Sequence, residues 1–356
     1  MASFQIAPLQ RFTANKTSIK KPTEVAYFSY DNDHVLHPFS DISLRYYYPP
    51  FFKLNPSDQP EPIDLSKGFD TFRSRSDSPD EHLDGLLDTL TEAEKRAGKK
   101  LDADLITWRG MMTKILTAPF DNMDGFEMNA TRFQIRRREP RSKDPGESET
   151  EYSSEAFPAQ CTTPDLATFW GYKFETLCLM PRPWEDTSRE EIEGRENEVV
   201  DNYAQYCSIA RTGIGSTSLI IGGEVDGVLG YKPGHPDEPA RWIELKTARP
   251  PEGDRDRDIL NYERKLMKFW AQSFLLGHVL FLAYLPPFTV SIFHVHFALT
   301  SYRVPKIIVG FRDRAGFLTN IQELDTQKIP GIVQHQGRRS WDANTCVRFA
   351  GAFLDF

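Results

Sequence analysis

LIIGGEVDGVLG, residues 219–230, and RWIELKTA, residues 241–248, decide how this chain is read. Each is an apolar run of strand length, rich in Ile, Val and Leu and bounded by Gly, Pro or charge, which predicts a β-strand. Side chains alternate across a strand, so Glu224 and Asp226 share one face while Val225 points into packing. In the second run Glu244 and Lys246 share a face, and Leu245 turns inward. Two such strands lying side by side would gather three carboxylates and one ammonium at one spot.

The neighbouring sequence extends this reading. Strands are expected at 205–212, 217–229 and 241–247, with a hairpin turn at Gly213–Gly215 between the first two. A helix over 80–98 would put Leu83, Leu86, Leu87 and Leu90 on one face, and a second fits 102–117 with Asp102 as N-cap. GYKFETLCLM, 171–180, reads as the start of another helix. A fourth, at 262–277, presents Leu266, Phe269, Trp270 and Phe274 for packing. KIIVGF at 306–311 reads as a strand and 344–356 as a helix that stops inside its apolar pattern. Residues 41–52 look extended, 56–79 look like loop, and 1–25 read as a loose N-terminal arm. The stretch 136–156 is charged and nearly free of apolar residues, which predicts a solvated loop. Its run Arg136–Arg138 could also touch phosphate. The fold class expected is α/β (α+β): one domain over 26–356, with two β-sheets flanked by helices.

Composition sets the limits. The chain has 356 residues, 39% of them hydrophobic and 25 of them Phe, enough for a sizeable core. A net charge of -8 rules out a uniformly basic nucleic-acid binder, yet binding a phosphate-bearing ligand at one place needs only local positive charge. The four cysteines, Cys161, Cys178, Cys207 and Cys346, form no C-x-x-C pair, which argues against zinc and for a reducing compartment. The N-terminus lacks the basic and apolar regions of a signal peptide. Residues 278–303 are the most apolar stretch. Pro286-Pro287 at its centre, with His294 and His296 near its end, argues against a membrane span. His294-x-His296 offers two metal-ligand types, but a structural pair on one strand face is the simpler reading.

Clustered carboxylates repel one another unless a cation lies between them. Mg²⁺ or Mn²⁺ suits an all-oxygen donor set. An acidic residue followed by a strand carrying E-x-K is the pattern of PD-(D/E)xK nuclease-like sites, in which the lysine orients water or stabilises charge on phosphoryl oxygens. The alternative is a pair of exposed salt bridges on an amphipathic sheet. Three residues add to the set. Glu175 lies beside an aromatic-rich helix start, and Gln272 is an amide in an apolar stretch. Arg109 sits at the edge of an apolar stripe, where a charge needs a carboxylate or phosphate partner.

Read together, these segments resemble the DXO-type family of RNA decapping and 5′-end exonuclease enzymes. LITWRGMMTKILTAPF, GYKFE, GGEVDG, WIELKT, KFWAQSFLLG and VPKIIVGFRD follow the family's order, preceded by FSYDND, LRYYYPP and DEHLDGLL. The resemblance covers about residues 25–356 apart from gaps, and its wording is closest to the fungal nuclear branch. It implies a nuclear location, with the cytoplasm as a second site, and two divalent metal ions as cofactors. Glu175, Asp226 and Glu244 would ligate them by side chain and Leu245 by its carbonyl, with Glu224 placing water. Lys246 and Gln272 would meet the scissile or neighbouring phosphates. Arg109, with Trp108 and Gly110, would bind the RNA 5′ region, and Glu81 and Cys207 match positions near the substrate. The implied reaction removes pyrophosphate, incomplete or unmethylated caps and NAD caps from single-stranded RNA. The implied partner is a nuclear 5′→3′ exoribonuclease, with no membrane involved.

Two departures from the family pattern stand out. Its members run from SFLLG almost directly into VPKIIVGFRD, so 278–303 is an atypical insert, either a translated retained intron or an insertion loop. They also continue past the last helix, so the C-terminus reads as truncated. Two rival functions share the residue set: a DNA nuclease of the same metal-site class, and a non-catalytic partner that stabilises an exoribonuclease.

Overall fold

The computed structural model describes residues 4–13, 17–75, 82–121, 125–132, 165–234, 240–251, 253, 255–276, 306–335 and 337–356. The first third supplies β1 (Ile19–Tyr30), β2 (Leu36–Pro38), β3 (Tyr46–Tyr47), β4 (Ile63–Asp64), α1 (Asp84–Ala97), β5 (Leu105–Trp108) and α2 (Arg109–Thr117). The middle supplies α3 (Leu166–Cys178), β6 (Leu179–Met180), α4 (Arg189–Gly194), β7 (Gln205–Ile214), β8 (Thr217–Glu224), β9 (Gly227–Val228), β10 (Trp242–Ala248) and α5 (Asp256–Leu276). β11 (Lys306–Arg312), β12 (Phe317–Asp325), α6 (Ile329–His335) and α7 (Ala343–Leu354) complete it.

These strands form two sheets. One has five strands in the order β2-β1-β7-β8-β5, the other seven in the order β4-β12-β11-β10-β9-β3-β6. Alternation builds the layers. Leu219 and Ile221 of β8 face α2, α5 and α7, and so do Ile307 and Val309 of β11 from the other sheet. Ile220 faces the opposite way, onto Leu86 and Leu90 of α1, while Ile308 and Leu245 face Phe174 and Leu177 of α3. Both sheets are thus covered on both faces, which explains the nearly unbroken apolar runs. β10 and β11 pair in parallel, and α5 is the crossover between them. No helix among the described residues is long and apolar enough to cross a membrane.

Several expectations need correction. The arm at 1–25 is partly ordered: Leu9–Phe12 forms a 3-10 turn, Phe12 is buried, and Ile19 onward pairs with β7. The predicted helix over 102–117 is strand for its first part. Leu105–Trp108 pairs in parallel with Leu219–Gly222, and the helix begins at Arg109, without a side-chain cap from Trp108. The β-branched and aromatic Ile106, Thr107 and Trp108 favour this edge strand. GYKFE is not a helix start, because α3 begins at Leu166, capped by Asp165. The 217–229 strand breaks after Glu224. The turn between β7 and β8 is Gly215-Ser216, with Gly215 at φ 61°, whereas Gly213 is a ladder residue opposite Ser218. Leu87 is exposed, and only Tyr46–Tyr47 of 41–52 is strand. The stretches 136–156 and 278–303 lie outside the described residues, as do Glu81 and Cys161.

Candidate active site

The two carboxylate-bearing strands belong to different sheets. β8 ends at Glu224, and Val225 packs with Leu44, Tyr206 and Val228. The chain then crosses to the seven-stranded sheet, where Gly227 pairs with Ile243. Asp226 falls at this crossing. Its Oδ2 accepts the Leu245 N–H at 2.6 Å. That N–H points away from β11, along the edge of β10 that β9 leaves open after Ile243. Leu245 presents its carbonyl to the same edge, because N–H and C=O of one strand residue point the same way.

Glu244 is the centre of the cluster and is 3% exposed. Its Oε2 accepts Arg109 Nη1 at 2.9 Å and its Oε1 accepts Lys246 Nζ at 2.6 Å, with Gln272 Nε2 donating to the same oxygen. Arg109 is there because β5 lies beside β8 with Trp108 opposite Gly222, so the next residue starts α2 next to Glu224. Gln272 comes from α5. Glu175 comes from α3 and feels the charges of Asp226, Glu224, Lys246 and Glu244.

The electrostatics separate these carboxylates. Glu224 is exposed at the cleft, yet the surrounding protein and Asp226 push it up to about 7, against the pull of Arg109. Burial and then Glu244 raise Asp226 to about 6, and burial with Asp226 and Glu224 raises Glu175 well above its ordinary range. For Glu244 burial also acts upward, but Arg109 and Lys246 outweigh it and hold the group below its usual value. Lys246 is desolvated, yet Glu244 and Asp226 raise it. Among the described residues, four carboxylates therefore share two fixed cations, Arg109 and Lys246.

That imbalance is what a divalent ion corrects, and the donors are the hard oxygens Mg²⁺, Mn²⁺ or Ca²⁺ prefer. No three Asp, Glu, His or Cys side chains among the described residues converge into a ready metal cage, because Glu244 is turned onto Arg109, Lys246 and Gln272. The residue types fit a hard cation, provided Glu244 exchanges a side-chain partner for it.

A cleft of about 560 Å³ opens beside the cluster. Trp108, Arg109, Gly110, Glu224 and Gln272 line it. Thr113, Lys114 and Thr117 of α2, Lys268 of α5, and Phe126 extend it; the sequence reading missed these. Helical spacing carried the signal, since Gly110, Thr113, Lys114 and Thr117 fall on one face, as do Lys268 and Gln272. Lys268 pairs with Asp121 at 2.8 Å across the cleft wall. Trp108 is fixed by its indole N–H donating to the His82 carbonyl at 2.5 Å. Cys207 does not line the cleft. It lies opposite Glu224 in the ladder, where partners share a face, but one strand further into the sheet it is buried against the α1 layer.

A model of the family described as RAI1-like PD-(D/E)XK nuclease matches residues 20–279 and 300–356. The decapping nuclease RAI1 of Aspergillus fumigatus is 49% identical over 354 residues, spanning 99% of this chain and 86% of that protein. Its counterpart from Emericella nidulans is 47% identical over 354 residues, with the same coverage. Among solved structures, Scheffersomyces stipitis Rai1 in complex with (3′-NADP)+ and calcium ion superposes with a TM-score of 0.71 at 26% identity, covering 100% of this chain and 85% of that one. Candida albicans Rai1 in complex with pU5-Mn²⁺ gives 0.69 at 26%, covering 96% and 82%.

Proposed function

This chain belongs to the RAI1-like PD-(D/E)XK nuclease family, and on that premise we propose that it is a divalent-metal-dependent hydrolase of RNA 5′ ends. It removes pyrophosphate, incomplete or unmethylated caps and NAD caps, leaving 5′-monophosphate RNA. The observation that carries this reading is the junction of Glu175, Glu224, Asp226 and Glu244, balanced among the described residues by Arg109 and Lys246, at the end of a cleft lined by Lys114, Lys268, Trp108 and Phe126. The relatives solved with pU5-Mn²⁺ and with (3′-NADP)+ and calcium support the substrate and cofactor classes.

Glu175, Asp226 and Glu244 would hold two ions by side chain and Leu245 by its carbonyl. When bound, the ions supply Lewis acidity toward a phosphoryl oxygen and a more acidic water. Glu224, raised to about 7, is poised to accept a proton from water near neutral pH. The Arg109 fork suits two phosphate oxygens, and Lys246 carries positive charge to the side where charge builds on phosphorus. Gln272 orients a neighbouring phosphate through its amide. Cationic and aromatic cleft residues grip a single strand by backbone and stacking, so base identity need not be read.

The test is hydrolysis of RNAs bearing a triphosphate, unmethylated cap, NAD cap or monophosphate, by wild type and Asp226→Ala, with Mg²⁺, Mn²⁺ or EDTA. Metal-dependent release of the 5′ group by wild type alone is the expected result. No turnover by the folded, metal-loaded protein would sink the reading and leave a non-catalytic partner in its place. Decay of the monophosphate RNA would add exonuclease activity. From the family resemblance we also propose a nuclear location and a 5′→3′ exoribonuclease partner, checked by co-purification from nuclear extract with tagged chain.

A further inference from the structure

A second cationic site lies apart from the cleft, at the carboxyl ends of β10 and β11. Arg312 closes β11 at a bulge, where pairing with β12 jumps from Phe311–Asn320 to Arg312–Leu318. Bulges re-aim side chains, and here the guanidinium lies over the Trp170 ring at 4.3 Å. Trp170 is itself fixed, donating to Ser66 Oγ at 2.9 Å and closed over by Gly316, where a Cβ would come within 2.4 Å of the ring. Arg249 directly follows β10. The β10–β11 register, with Ala248 opposite Phe311, carried one residue further puts Arg249 beside Arg312. Burial and the charge of both guanidinium groups lower Lys265 of α5.

Among the described residues the corner is short of negative charge. Arg312 donates through Nη1 to the Asp313 carbonyl at 3.2 Å, but its buried Nε has no acceptor among the described residues. Among the described residues, Asp313 is the carboxylate that raises Arg312, against burial and Arg249. Three cations held together with a rigid aromatic support form a preorganised anion site. Its position indicates which anion. Arg249 is three strand residues beyond Lys246, about 10 Å along the backbone. The two lie on opposite faces of β10, joined by the open edge onto which Asp226 and the Leu245 amide converge. Ligands in α/β sheets collect at such carboxyl ends.

We infer that Arg249, Lys265 and Arg312 form an exosite for the phosphodiester backbone of single-stranded RNA, gripping the strand beyond the nucleotides that occupy the catalytic cleft. The inference rests on the proposal that RNA is the substrate. It makes binding length-dependent and sequence-independent.

The test measures binding rather than turnover. Arg249→Ser and Lys265→Ser are combined in the full chain; both side chains belong to exposed residues, and Arg312 and Trp170 stay in place. Fluorescence anisotropy in EDTA compares a 3′-labelled trinucleotide with an RNA of about 20 nucleotides, longer than a typical single-strand site. The long RNA should bind about tenfold more weakly to the variant, with its salt slope flattened by about 1.4, and the trinucleotide should be unaffected. Equal weakening at both lengths, or none, would overturn the exosite. Competition with inorganic phosphate separates the sources: if the variant loses phosphate binding but holds long RNA as well as wild type does, the corner is a small-anion site and the RNA assignment fails. Wild-type protein that binds long RNA through this corner yet hydrolyses no 5′ end would sink the proposed activity and leave the exosite standing.

Discussion

Glu244 is the residue on which the site turns. It is buried, held below its usual value by Arg109 and Lys246, and bonded at both oxygens. Removing one partner of a buried pair strands the other, so Arg109→Met should cost about 3 kcal/mol in urea denaturation with EDTA. Mn²⁺ should recover part of that loss, because it supplies the missing positive charge. Glu224 titrates in the opposite sense. Its folded value of about 7 exceeds its unfolded value, so the folded state holds the proton more tightly. The stability it contributes is complete below pH 4.5 and is lost as pH rises through 7. In EDTA the protein should therefore melt lower at pH 8 than at pH 6, and Glu224→Gln should shrink the difference. An unchanged difference in that variant would show that the shift lies elsewhere.

β8 is the element that positions the cluster, and its glycines let it do so. A Cβ at Gly222 would come within 2.3 Å of Leu86 and 2.8 Å of Trp108. Gly222→Ala should therefore push β5 and α1 apart, costing about 1–3 kcal/mol. Because Arg109 follows Trp108 directly, 5′-end hydrolysis should fall more than stability does, read as a loss of kcat at a temperature where the variant remains folded. α7 offers a control far from the cleft. Asp342 Oδ1 caps it by accepting the Thr345 N–H at 2.7 Å, so Asp342→Ala should cost about 1 kcal/mol and leave kcat unchanged.

The molecule as a whole joins β10 to β11 through α5, and residues 277–305 between that helix and β11 lie outside the described residues. The family model leaves 280–299 unmatched. A chain lacking 280–299 should still fold, with a melting temperature no lower than that of the full chain, since the family model matches the sequence on both sides of that stretch. Sequencing the transcript would separate a retained intron from a true insertion.

The sequence by itself determined which residues meet. Glu224, Asp226, Glu244 and Lys246 were legible because alternation places charge on one side of an apolar strand, and Arg109 because a charge beside an apolar stripe needs a partner, while Glu175 and Gln272 joined the set through the family resemblance. The two-sheet architecture was legible as a family resemblance. Where the groups meet was decided only by tertiary structure. Glu224 and Glu244 belong to different sheets, and the site forms where the chain crosses between them after Val225. Periodicity cannot reveal such a crossing, because each half reads as an ordinary strand. The strand at Leu105–Trp108 was hidden for the same reason: its partner β8 lies more than a hundred residues away, and pairing overrode a local pattern that fitted a helix. The corner of Arg249, Lys265 and Arg312 left no trace in the sequence, since register and a bulge, not spacing, bring those charges together.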